Sequence, residues 1–262
     1  MTASPKDIMT AKLFFNAAFP VMQVLLDDNP SINKTFANVR ATVQFGAKDD
    51  AQPLYCHLVF DNGKVKVVQG KAEKFDLALT FPAIEKMNAL LKGGLAIPSI
   101  NGRPGLLTKI LPLLMGLKIM TKPNDKLKSP EEAALKVKCS LYMITRALSQ
   151  YNKLGDEDMR EFCKRQPDRI YQFKVEKDGD PAFIAAYLRV KAGKSKSGHG
   201  VYERRSPFVL FRFTSVEGAL KILDKEAEFV EGVEKGYVET LGSPEYAMYL
   251  NDYMTILKGM LT

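Results

Sequence analysis

Thr42-Val43-Gln44-Phe45 has a counterpart 128 residues later in Ile170-Tyr171-Gln172-Phe173, and this pairing decides how the chain divides. Working outward, Pro53 matches Pro181, and Gly63-Lys64-Val65-Lys66 with Gly70 returns as Gly193-Lys194-Ser195-Lys196 with Gly200. Phe81-Pro82-Ala83-Ile84-Glu85 returns as Phe213-Thr214-Ser215-Val216-Glu217, and Gly102-Arg103-Pro104 as Gly242-Ser243-Pro244. The offset grows from 128 through 130 and 132 to 140, as expected for loops inserted between matched elements. Five matches in one order point to a smaller fold written twice.

A chain of 262 residues with a repeat of about half that length divides into two domains, read here as 1–125 and 126–262. With 46% hydrophobic and 26% charged residues, each half has material for its own core. No stretch approaches the ~18 uninterrupted apolar residues of a membrane span. Met1-Thr2-Ala3-Ser4-Pro5-Lys6-Asp7 lacks the pattern of a secretory signal. Three widely spaced cysteines, Cys56, Cys139 and Cys163, suit reduced thiols better than a disulfide framework. The expectation is a soluble, cytoplasmic protein. Its net charge of +8 is spread over both halves, with 15 Lys/Arg against 10 Asp/Glu in 1–125 and 23 against 20 in 126–262. Such a balance gives weak attraction to anionic surfaces, not specific nucleic-acid recognition.

Residues 8–27 have helical apolar spacing, and Pro20 should kink or divide that helix. Strands are expected at 39–46, 54–60, 64–70 and 75–81, with Asp61-Asn62-Gly63 turning a hairpin. A helix over 83–92, a Gly/Pro-rich loop over 97–105 and an apolar stretch over 106–120 follow. Thr121–Pro130 reads as a linker. The second half repeats the order. It has helices at 131–151 and 157–165, strands at 169–176, 183–190, 195–203 and 207–213, and a helix to about 226. A strand near 235–241 and a helix over 244–260 finish it. Ser129-Pro130-Glu131-Glu132 and Thr214-Ser215-Val216-Glu217 read as capping boxes. The fold class is α+β.

Phe75-Asp76-Leu77-Ala78-Leu79-Thr80, followed by Ile84-Glu85-Lys86-Met87-Asn88-Ala89-Leu90-Leu91-Lys92-Gly93 and later Ile100-Asn101-Gly102-Arg103, resembles the type-two sterol carrier protein family. The second half is a diverged version, with Phe208 where the first has Asp76. The resemblance implies two units, each a curved, mostly antiparallel sheet covered by helices. It further implies non-covalent binding of a sterol, fatty acid or acyl-CoA, without chemistry.

Leu106–Met120 is apolar nearly all round. Leu106, Ile110, Leu113, Leu117 and Met120 form one stripe and Leu107, Leu111, Leu114 and Met115 another. Such a helix must cover two faces. The second partner is a domain, a lipid tail or a membrane surface. The lipid-contact candidates are Leu106, Leu107, Ile110, Leu111, Leu114, Met115 and Ile119, in a cavity mainly of the first copy. In the second copy, Tyr246, Tyr249 and Tyr253 lie on the apolar side of an ordinary amphipathic helix. Arg189, Lys191, Lys194, Lys196, Arg204 and Arg205 surround a hairpin, either as a patch for anionic headgroups or as a solvated, basic sheet edge.

Catalytic patterns are thin. His57 has no ligand-type neighbour at metal spacing, and Cys56 points to the opposite face of the same strand. There is no nucleophile elbow, dinucleotide fingerprint or HExxH. The reading is a non-catalytic lipid-binding carrier needing no cofactor or metal. Its partners would be a hydrophobic small molecule and, transiently, an anionic membrane. The alternative is a protein-interaction module whose copies pack through 106–120.

Overall fold

Asn62 and Gly63 (φ 48° and 81°) turn one hairpin, and Ala192 and Gly193 (φ 45° and 82°) turn another. Two successive positive φ angles give the type I′ turn that matches strand twist. The computed structural model describes residues 2–262, and around these hairpins it builds two five-stranded sheets. The first contains β1 (Arg40–Ala47), β2 (Leu54–Asp61), β3 (Lys64–Gln69), β4 (Leu77–Phe81) and β5 (Ser99–Gly102), in the order β3-β2-β1-β4-β5. The second contains β6 (Arg169–Lys177), β7 (Asp180–Lys191), β8 (Lys194–His199), β9 (Val209–Phe213) and β10 (Val238–Gly242), in the order β8-β7-β6-β9-β10.

Both sheets are mixed. The β1–β4 and β6–β9 pairings are parallel, with Val43 opposite Leu77 and Tyr171 opposite Val209, while the other pairings are antiparallel. The chain divides into two compact units, Met1–Ile119 with Met260–Thr262, and Met120–Gly259.

In the first unit the N-terminal helical run is divided, as Pro20 requires. α1 (Pro5–Leu13) widens into a π turn at Phe14–Ala18 and tightens through Phe19–Val21 into α2 (Met22–Asp28). α3 (Pro30–Phe36), unexpected from the sequence, starts where the Asn29 side chain accepts from the Ser31 and Ile32 amides at 3.1 Å. Phe19 packs between Phe15 and Phe45, with ring centroids 5.6 and 5.0 Å away, and anchors the run on the sheet. α4 (Ile84–Leu91) follows β4, and α5 (Leu107–Leu117) follows β5. Residues 99–102, expected as loop, form β5. Its four residues are all exposed, so no apolar alternation marks it.

In the second unit α6 (Pro130–Leu154), α7 (Glu157–Lys164), α8 (Val216–Leu223), α9 (Phe229–Glu234) and α10 (Pro244–Leu261) complete the element order. The expected capping boxes form differently. The Ser129 hydroxyl accepts from the Glu132 amide at 3.2 Å, but Glu132 turns to the Lys128 amide at 2.6 Å. The cap of α8 is Ser215, whose hydroxyl accepts from the Gly218 amide at 2.9 Å. Thr214 is one residue too early, and its hydroxyl donates to the Gly236 carbonyl at 2.7 Å. Helix 215–226 of the sequence reading ends at Leu223, and the separate α9 follows.

The stretch read as a linker is held by side chains. Buried Lys136 donates to the Lys122 carbonyl, to Asn124 Oδ1 at 2.8 Å and to the Asp224 carboxylate. Lys122 pairs with Glu132 at 2.6 Å. A buried ammonium needs such saturation, because desolvating it unpaired is costly.

Candidate functional site

α5 is built as the sequence demands on one side only. Ile110 and Leu113 are buried (1% and 0% exposed) where α5 packs on α2 and α3. Gly116 makes that approach possible, since a Cβ there would lie 2.9 Å from Leu25 Cδ1 and 3.3 Å from Ile32 Cδ1. The outward stripe stays open to solvent, with Leu111 49% and Met115 55% exposed. Leu106, Leu107, Leu114 and Ile119 are half-buried, and only Met120 beyond them is buried. Two helical runs are long and apolar enough to cross a membrane by length and composition. Pro5–Asp28 is 67% buried and Pro104–Thr121 only 17%, so the second run holds the unspent apolar surface. The seven lipid-contact candidates therefore share one segment, but they divide between its packed and its open side.

The basic candidates are less available than their number suggests. Arg189 forks onto Asp168, with Nε and Nη2 donating at 2.7 and 2.6 Å, and Arg205 donates to the Asp168 carbonyl at 2.8 Å. The Arg189 guanidinium, helped by Arg205 and Lys191, holds the Asp168 carboxyl below the usual carboxylate range. Arg189 stands opposite Lys196, and Lys191 opposite Lys194, on one face of the β7–β8 hairpin. Lys191, Lys194, Lys196 and Arg204 are exposed.

A cleft of about 910 Å³ lies in the second unit, and none of the candidate residues lines it. It opens between the start of α6, the β6–β7 turn and the start of α8. Lys128, Lys177 and Lys221 line it together with Glu176, Asp178 and Glu217. Several of these charges are already paired. Lys221 lies 3.0 Å from Glu217, and Glu176 lies 3.1 Å from Arg212. Its lining has no histidine or cysteine, and no metal-holding group of three or more His, Cys, Asp or Glu occurs among the described residues. No pattern in the sequence marks this cleft, because its residues come from separated turns. His57 Nδ1 lies 3.1 Å from the Gly70 carbonyl, while Cys56 is buried and its thiol is pushed up by desolvation. No disulfide links the cysteines.

Asp76 and Phe208 occupy matching places in the two units and make different contacts. A Cβ on Gly102 would meet the Asp76 carbonyl at 2.3 Å, and one on Gly242 the Phe208 carbonyl at 2.1 Å. Asp76 accepts from the Thr42 amide at 2.8 Å and pairs with Arg103 at 3.3 Å. In the second unit the Arg169 guanidinium lies 3.8 Å from the Phe208 ring and 4.5 Å from Tyr246. Where the first unit has an ion pair, the second has a cation–aromatic stack. Phe162 gathers Tyr246, Tyr249 and Tyr253 within 6.4 Å, and burial pushes the Tyr253 hydroxyl up to about 12.

No protein-family model and no curated protein matches the chain. Among solved structures it is similar to the sterol carrier protein domain 2 of Helicoverpa armigera, at 22% identity and a TM-score of 0.31. That match covers 45% of this chain and 94% of the other. It is similar to palmitated SCP2L2 from Aedes aegypti at 18% identity and a TM-score of 0.30, covering 42% of this chain and 90% of the other. A third likeness is to the inverting sec-alkylsulfatase Pisa1 from Pseudomonas sp., at 11% identity and a TM-score of 0.27. It covers 64% of this chain and 29% of that enzyme.

Proposed function

We propose that the chain consists of two sterol-carrier-like units in tandem and works as a non-catalytic, cytoplasmic carrier of a hydrophobic small molecule such as a sterol, fatty acid or acyl-CoA. The resemblance of the Asp76 phrase and the identical strand order of the two sheets support the tandem reading. One observation carries the ligand class. α5 buries Ile110 and Leu113 on its own unit yet keeps Leu111 and Met115 about half exposed on the other side. A helix of an ordinary surface would carry polar residues there.

In this reading α5 moves off α2 and α3, and the tail enters against Leu106, Leu107, Ile110, Leu111, Leu114, Met115 and Ile119. Covering a few hundred Å² of tail at about 25 cal/mol per Å² gives several kcal/mol before association costs. Because the first unit has the apolar helix, it is the carrier, and the second unit is its partner. Native mass spectrometry after gentle purification, with titration by a fluorescent fatty acid, tests the reading. Bound lipid or saturable uptake is expected. A protein free of lipid that also takes up no fatty acid would refute it.

A further inference from the structure

The first unit carries apolar side chains that a ligand pocket does not explain. Leu95 and Ile97, in the loop between α4 and β5, are 98% and 90% exposed, and Ile100 on the edge strand β5 is 49% exposed. The loop begins beside the C-terminal end of α5, because a Cβ on Gly93 would meet Lys118 Cε at 3.7 Å. The loop that carries these tips therefore starts where the helix that exposes Leu111 and Met115 ends. Between Glu85 and the end of the first unit at Ile119 the sequence contains no acidic residue and five cations, Lys86, Lys92, Arg103, Lys109 and Lys118. The carboxylates that reach this set come from outside it. Asp76 pairs with Arg103 at 3.3 Å, and Asp7 acts on Lys92 together with Lys6.

We infer that the first unit docks on anionic lipid bilayers through Leu95, Ile97 and the outer face of α5. Two aliphatic side chains standing almost free of the protein cannot be covered by a small ligand, which needs a concave site. A bilayer receives such tips in its headgroup–acyl boundary, and a segment of one charge sign beside them is attracted to anionic headgroups. The inference places membrane contact on the first unit rather than on the basic hairpin of the second. It stands apart from lipid carriage: a chain that docks on vesicles but takes up no fatty acid keeps this inference and loses the proposed function.

Co-sedimentation of the full chain with phosphatidylcholine vesicles, with and without phosphatidylserine, tests it. Binding is expected only with phosphatidylserine, weakening as salt rises. Leu95→Asp with Ile97→Asp should lower the partition coefficient about tenfold or more. Both side chains are too exposed for this to unfold the protein, and circular dichroism checks that. Lys191→Glu with Lys194→Glu and Lys196→Glu should retain binding. The inference is overturned by absent or phosphatidylserine-independent binding, by an Asp double variant that binds like the parent chain, or by loss of binding in the hairpin variant.

Discussion

Gln44 and Gln172 hold the same place in the two matched tetrapeptides and perform the same task. Each is buried, and its side-chain oxygen accepts at 2.9 Å from a backbone amide just past the hairpin, that of Ala72 in one unit and Tyr202 in the other. Gln172 also donates to the carbonyls of Phe173, Ala186 and Gly200 at 3.1, 2.9 and 3.2 Å. Gln172→Leu should cost about 2 kcal/mol in urea denaturation, because it leaves buried backbone groups without a partner. Gly102 and Gly242, at φ 101° and 105°, admit no Cβ. Alanine at either should cost more than about 2 kcal/mol. His199 stacks on Tyr142 at 3.7 Å, and desolvation of the ring, followed by Arg146 and Lys138, holds its imidazole below the ordinary value. The folded state then resists a proton that the unfolded state accepts. Stability should fall as pH drops through about 6.5 toward that lowered value, and His199→Phe should flatten the fall in denaturation between about pH 7.5 and about pH 5.5. The glutamines were visible in the sequence as a repeated letter. Their role was not, because the partner amides lie 28 and 30 residues further on.

At the scale of the element, α5 decides between the readings of the chain. Leu114→Glu places a charge on a half-buried position of its open stripe. The carrier reading expects fatty-acid uptake to be lost while hydrodynamic radius and helicity stay unchanged, and the interaction-module reading expects the radius to change. Titration with a fluorescent fatty acid beside analytical ultracentrifugation separates the two. The two-sided apolarity of α5 was plain from Leu107, Leu111 and Met115, and so was the division of the N-terminal helix at Pro20. β5 and α3 were hidden for different reasons. β5 is four exposed residues whose only signature is its pairing with β4, so nothing local to it records the strand. α3 is a short helix, started by an Asn-Pro pair that reads equally well as a turn.

At the scale of the molecule, every strand pairing lies within one half of the chain. Heat unfolding should therefore depart from a single two-state transition in scanning calorimetry, with Gly102→Ala lowering one step and Gly242→Ala the other. The growing offset between matched phrases reads as two domains, 1–125 and 126–262. The 910 Å³ cleft of the second unit was not legible in the sequence, because it is assembled from turns that only the fold brings together.

The separation of the sheets also has a temporal side. Sheets that close through a parallel pair, as at β1–β4, need contacts between distant residues and form slowly. Two such sheets with one strand order could exchange strands if both were unfolded together. During synthesis they are not. The last strand of the first sheet ends at Gly102, and the second sheet does not begin until Arg169. At about 5–20 residues per second, the ribosome gives the first sheet several seconds alone before any competing strand exists. Refolding from denaturant removes that head start, so the full chain should refold with lower yield than it reaches during translation.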